Sequence, residues 1–279
     1  MRFSAPSALA GPLLALGALG ACTSTSAGSD AGTDGGACAT LFGRPNDMTG
    51  LTSDQCRPAC ACTGFVWAPP DYGPAFIDSL VSGWALEPPN PPITTDPYAS
   101  PAPPPDPAEM VCGVLPAGPA SSQPRLYRLL TYDTEAAARD AGASPTHFGH
   151  CGACSPLVDL AVYMRENDLT APVRDCGLNS TTQDEDVACL QGLGFDLPCA
   201  QIYAYNTAHT RSVCLAPCAV SLNEPYQLPD GGLNECLACD EAMSGPVFQA
   251  VAGRTRRNSG LANALCRPCS QVQPLVHDY

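Results

Sequence analysis

The segment Thr146-His147-Phe148-Gly149-His150-Cys151-Gly152-Ala153-Cys154-Ser155 gathers two of the chain's four histidines and a C-G-A-C tetrapeptide just before a predicted helix. A helix N-terminus favours negative charge and so lowers the pKa of a thiol placed there. With a reduced cysteine, an enzyme built here would use His147, His150 or Cys154 for hydrolytic or redox chemistry. The three-residue spacing of the histidines is compatible with joint metal ligation. No H-E-x-x-H pattern or nearby carboxylate completes such a site, so no metal or other cofactor is expected. The plainer alternative makes both cysteines disulfide partners and both histidines polar loop residues.

A second cluster is Gly253-Arg254-Thr255-Arg256-Arg257-Asn258-Ser259-Gly260, where three of 13 arginines occupy four positions. The forks of Arg254, Arg256 and Arg257 can converge on a carboxylate, phosphate or sulfate. Equally, they can answer the C-terminal dipole of the preceding helix, or pair with Asp240 and Glu241. Further along, Tyr203, Tyr205, His209 and Arg211 share one predicted helix. Such polar aromatics with His209 line a sugar or small-ligand site, or serve as half-buried packing.

Composition removes several classes of function. All 13 basic residues are arginine, which excludes Schiff-base, pyridoxal and P-loop lysine chemistry. The net charge of −14 argues against nucleic acid or an anionic membrane face as partner. What remains is a binding protein for a small ligand of anionic character or for a protein partner, the enzyme sketched above, or a purely structural surface protein with no small-molecule site.

The N-terminus addresses the chain. Arg2 precedes the apolar run Leu13-Leu14-Ala15-Leu16-Gly17-Ala18-Leu19, which ends in Gly20-Ala21-Cys22. That is the layout of a secretory signal over residues 1–21, too short to span a membrane. Leu19-Gly20-Ala21-Cys22 is similar to the lipobox of bacterial lipoproteins. The resemblance implies that Cys22 is acylated, becomes the mature N-terminus and anchors the protein in the lipid bilayer. Several acyl chains hold firmly where one holds marginally. Thr23 in place of an aspartate resembles the outer-membrane sorting pattern of this class. Residues 22–37 then form a lipidated flexible tether; its 15 residues from Thr23 to Ala37 span on the order of 20 Å as a Gly/Ser-type coil.

Two other resemblances attach to the tetrapeptide. Cys151-Gly152-Ala153-Cys154 resembles the papain-type C-G-S-C, which implies Cys154 as nucleophile. Ser155 stands where that family has an aromatic residue, and Phe148 where it has a glutamine. The chain ends 125 residues after Cys154, short of the roughly 130–150 to the papain-type histidine. The same residues resemble the thioredoxin C-G-P-C, but Ala143 to His150 does not read as the apolar strand that motif follows.

Sixteen cysteines besides Cys22 form an even set, which in an exported chain reads as a disulfide framework. Four fall in a Cys/Pro-rich region, 38–111, and twelve in 112–279, so each region could be stapled separately. The ten prolines between Glu87 and Pro107 mark a rigid spacer. Beyond Cys112, Leu126–Tyr132 predicts a strand and Thr134–Arg139 a helix. Further helices are expected after Ser155-Pro156, from Gln183, from Asp196, from Ser244, and over Leu261–Leu265. The fold class expected is mainly α, disulfide-rich and irregular, with a minor β element in 112–279.

Cys22→Ser should abolish acylation and release the protein from the membrane fraction on mild washing. A mutant that still partitions into detergent like the wild type would refute the lipobox assignment.

Overall fold

The strand predicted at Leu126–Tyr132 turns out to be an inner strand of a four-stranded sheet. The computed structural model describes residues 40–62 and 64–279. The signal peptide, Cys22 and the whole of the tether expected from the sequence lie outside them. Four short strands come first: β1 (Leu41–Phe42), β2 (Cys56–Arg57), β3 (Cys60–Cys62) and β4 (Phe65–Trp67). Helix α1 (Pro74–Ser82) and strand β5 (Trp84–Leu86) precede the proline-rich stretch. Then come β6 (Val111–Ala117), β7 (Arg125–Tyr132), α2 (Glu135–Asp140) and β8 (Ser144–Phe148). The sheet order is β5-β7-β6-β8, with β6 antiparallel to both of its neighbours and β5 parallel to β7.

Helices dominate the rest: α3 (Leu157–Arg165), α4 (Thr170–Asn179), α5 (Gln183–Gly192), α6 (Leu197–Val213), α7 (Leu215–Ser221), α8 (Glu235–Met243) and α9 (Gly245–Ala252). A two-residue strand β9 (Arg267–Pro268) returns to β1, giving the order β2-β1-β9. The helix starts follow side-chain chemistry. Thr134 accepts the Ala137 N–H at α2, Thr182 and Glu185 form a capping box at α5, and Asp196 caps α6.

Two expected elements differ. Pro156, not Ser155, stands at the cap of α3, because the Ser155 hydroxyl is turned inward to His147. Leu261–Leu265 is not a helix: the Ala264 N–H goes to Asn167 and the Cys266 N–H to Gln227. The described residues are 39% helical and 15% strand, a mixed α/β protein rather than a mainly α one. Strands β6 and β8 escape a periodicity reading because Gly113, Pro116 and Pro145 interrupt them.

Helix α3 is the centre of the core. Leu157, Leu160 and Ala161 are fully buried and pack with Leu190, Phe195 and Ile202. Burying one such leucine stabilises the fold by about 1.5–3 kcal/mol. Seven disulfides between described residues supplement this modest core. Cys154–Cys199 joins the start of α3 to α6, and Cys112–Cys151 joins β6 to the loop after β8. Cys176–Cys189 links α4 to α5, while Cys214–Cys239 and Cys218–Cys236 clamp α8 against the α6–α7 corner.

The regions 38–111 and 112–279 are not stapled separately. Cys56–Cys266 and Cys60–Cys269 bridge sequence separations of 210 and 209, fixing the first strands to the C-terminal segment. The C-x-x-C pairs Cys151/Cys154, Cys236/Cys239 and Cys266/Cys269 all bridge outward rather than within themselves.

All fifteen cysteines among the described residues are disulfide-bonded. Alkylation of the native, unreduced protein followed by mass spectrometry should leave each of them unlabelled. A single alkylated Cys154 would revive the nucleophile reading.

Candidate functional site

Arg254 organises the site from behind. It has no exposed surface, and its guanidinium donates to the Thr146 and Cys154 carbonyls, the Ser155 carbonyl and the Thr146 hydroxyl at 2.7–3.0 Å. Beside it, Ala153 and Cys154 donate their N–H groups to the Val251 and Ala252 carbonyls at 2.8 Å. Gly253, at φ 71°, allows this approach, since a Cβ there would overlap Gly152 and the His150 carbonyl. The chain then leaves α9 and enters a cleft.

That cleft has a volume of about 1200 Å³ and a mostly apolar wall. Helix α6 offers Tyr203, Asn206, Thr207, Thr210 and Arg211 to it, and α4 offers Thr170, Val173, Arg174, Gly177 and Leu178. Both sets run i, i+3, i+4, i+7, i+8, the single-face spacing of a helix. The two helices meet closely at Gly177, where a Cβ would overlap Thr207, and Arg211 donates to the Gly177 carbonyl. Helices α8 and α9 supply Leu237, Asp240, Glu241 and Phe248.

Charge is unevenly placed. Among the described residues, five of the 13 arginines (Arg174, Arg211, Arg256, Arg257, Arg267) line the cleft, against four of the 27 acids (Asp106, Asp168, Asp240, Glu241). Arg256 lies 5.4 Å from the Tyr163 ring and donates to the Ala262 and Glu166 carbonyls. Arg267 grips Glu241 with two hydrogen bonds, while Arg257 stands 3.8 Å from the same carboxylate. Burial pushes the pKa of both Arg256 and Arg257 down from the ordinary arginine value. Asp240 accepts from Thr210 and Asn206, and its pKa is raised, chiefly by burial.

The residues singled out in the sequence therefore separate. Arg254 is buried in the interior, where no ligand reaches it. Arg256 is nearly buried, and Arg257 reaches the cleft. The bland alternative, pairing with Glu241, also holds for Arg257. His209 lies off the cleft-facing stripe, stacked on Tyr98 at 4.3 Å with its Nδ1 2.9 Å from the Ser244 hydroxyl. Of the helix residues the sequence grouped with His209, Tyr203 and Arg211 do line the cleft; spacing alone did not find Arg174 or Arg267.

Nor does the His147–Cys154 segment form an accessible catalytic cluster. Cys154 is buried and bridged to Cys199, so it has no thiol. His147 Nε2 lies 2.7 Å from the Ser155 hydroxyl and its Nδ1 2.9 Å from the Phe148 carbonyl, with no exposed surface on either residue. Burial holds His147 well below the usual histidine range. His150 points elsewhere: its Nδ1 meets Asp106 and its Nε2 the Ala250 carbonyl, both at 2.7 Å. Held at both ring nitrogens, His150 pins the end of the proline-rich stretch.

Residues 183–275 match a family of unknown function (DUF8771). The match begins with α5 and carries Arg254, Arg256, Arg257 and Arg267. No curated protein and no solved structure matches the chain.

Asp159, in the first turn of α3, is sealed in the core. One oxygen accepts the Asp196 N–H at 2.8 Å and the other has no partner. Burial raises its pKa to about 8. The folded chain thus holds this proton more tightly than the unfolded one. The resulting stability is complete below about pH 4 and is lost as pH rises through about 8. Asp159→Asn should gain stability relative to wild type steadily across that window in urea unfolding. A difference independent of pH would contradict it.

Proposed function

We propose that this chain is a lipid-anchored, disulfide-rich protein of the bacterial cell envelope, held in the outer membrane by acylated Cys22, whose cleft binds a small anionic ligand. The anchor reading is supported by Leu19-Gly20-Ala21-Cys22 and the signal-like run before it. The binding reading is carried by one observation. A chain of net charge −14 concentrates five of its 13 arginines on one mostly apolar cleft. A concave apolar site with a few convergent polar groups is the usual form of a small-molecule pocket.

An envelope hydrolase or oxidoreductase working through His147, His150 and Cys154 has less support. It lacks a free thiol at Cys154 and surface access at His147. The charge balance leaves nucleic acid out of this reading as well.

The dye 8-anilinonaphthalene-1-sulfonate, an apolar body with one negative charge, is a suitable first probe. It should bind saturably, and the affinity should fall several-fold as salt rises from low to high ionic strength, because Arg257 is partly solvent-screened. Arg257→Ala should weaken binding at least fivefold with the melting temperature nearly unchanged. Absence of saturable binding would refute the cleft as a ligand site.

A further inference from the structure

We propose that the cleft's ligand is a monoanionic amphiphile, a long-chain carboxylate whose head group sits on Arg257 beside Arg267 and whose apolar body lies against Tyr203 and Phe248. The proposal rests on the reading of the cleft as an anion-binding site and specifies what that anion is.

The head-group end follows from hydrogen-bond capacity. Arg267 has a bidentate partner in Glu241 and is largely covered, with 13% of its side chain exposed. Arg257 sits 3.8 Å from the same carboxylate, beyond hydrogen-bond reach, with 37% of its side chain exposed. Among the described residues its guanidinium makes no side-chain hydrogen bond, so its fork is open to a planar acceptor, and a carboxylate matches that geometry. The charge count selects a single negative charge. Arg257 and Arg267 against Glu241 leave one net positive charge, which a monoanion neutralises. A dianion would leave an excess negative charge beside Asp240, the residue before Glu241 in α8.

The body follows from the rest of the wall. The Tyr163 and Tyr203 hydroxyls are 2.7 Å apart, one donating to the other, so the polar ends of the aromatic floor are turned together. Phe248 meets Tyr203 edge-on at 4.8 Å, and Leu169, Val173, Leu237 and Leu265 continue the apolar surface. At about 1200 Å³ the cleft is larger than the usual small-molecule site. A short acid would leave most of that apolar wall in contact with water; a long aliphatic chain covers it.

Glu241 acts here as the stand-in counter-ion of Arg257, which the ligand's carboxylate replaces. Removing the Glu241 charge should therefore strengthen carboxylate binding, an effect that damage to the fold does not imitate.

Isothermal titration of the full-length protein with dodecanoate, dodecanol and acetate, each kept below aggregation, tests the proposal. Dodecanoate should bind at least tenfold more tightly than dodecanol, and acetate should show no measurable heat. Arg257→Gln should bring dodecanoate down to the dodecanol level, and Glu241→Gln should tighten dodecanoate severalfold. Equal wild-type affinity for dodecanoate and dodecanol would overturn the head-group assignment without reference to any variant. If the anilinonaphthalene dye binds but dodecanoate does not displace it, the ligand class is wrong while the anion-binding cleft stands. If neither binds, both fail.

Discussion

The buried guanidinium of Arg254 is the contact on which the rest of the architecture depends. Its four hydrogen bonds join β8, through Thr146, to the turn that opens α3, through Cys154 and Ser155. Arg254 itself follows the last turn of α9, so sheet, central helix and cleft helix are fixed at one point. Cys154 adds α6 to the junction through its bridge to Cys199. Where Arg256 and Arg257 emerge into the cleft is a consequence of this junction.

A cation in a core is costly unless its surroundings replace the lost water. Here four neutral oxygens do so, with no ion-pair partner within reach among the described residues. Around it the titratable groups are held uncharged. Burial first, and the Arg254 charge second, keep His147 and His277 neutral, His277 with its pKa lowered to about 3. Asp159, with its pKa raised to about 8 by burial, keeps its proton at neutral pH. Tyr127 is pushed up to about 12, again by burial. The immediate surroundings of Arg254 are thus held neutral, its charge being met by hydrogen bonds to carbonyls and a hydroxyl instead of by an opposed charge.

What the sequence disclosed and what it withheld divide along physical lines. Helix starts with side-chain caps at Thr134, Thr182 and Asp196 were legible because capping is local. Helix α4 was not, since Pro172 in its first turn and Gly177 at its contact with α6 both read as breakers. Proline is tolerated there, and Gly177 answers a neighbour that sequence does not show. The arginine triplet was visible as a cluster but not as three roles. No regular period runs from Gly253 to Gly260, only a short 3-10 turn, so spacing says nothing of direction. One side chain goes to the core, one lies against Tyr163 and one faces the cleft. Likewise His147 and Cys154 carried the right residue types for chemistry, yet tertiary burial withdrew both from any substrate.

The cross-links and the cleft explain one another. A helix such as α6 in an ordinary bundle would offer an apolar stripe to its neighbours; here Asn206, Thr207, Thr210 and Arg211 lie on the stripe facing α4 and α8. That face gives up packing contacts that a dry core would supply. The helices around the opening are held instead by covalent bonds: α4 to α5, the α6–α7 corner to α8 twice, and α6 to α3. Each such bridge contributes about 2–4 kcal/mol, on the scale of a buried leucine or more. They constrain helix positions without filling the space between them. Covalent clamping therefore lets a chain with only 6% aromatic residues keep an open, arginine-lined cleft where its aromatics Tyr163, Tyr203 and Phe248 are gathered.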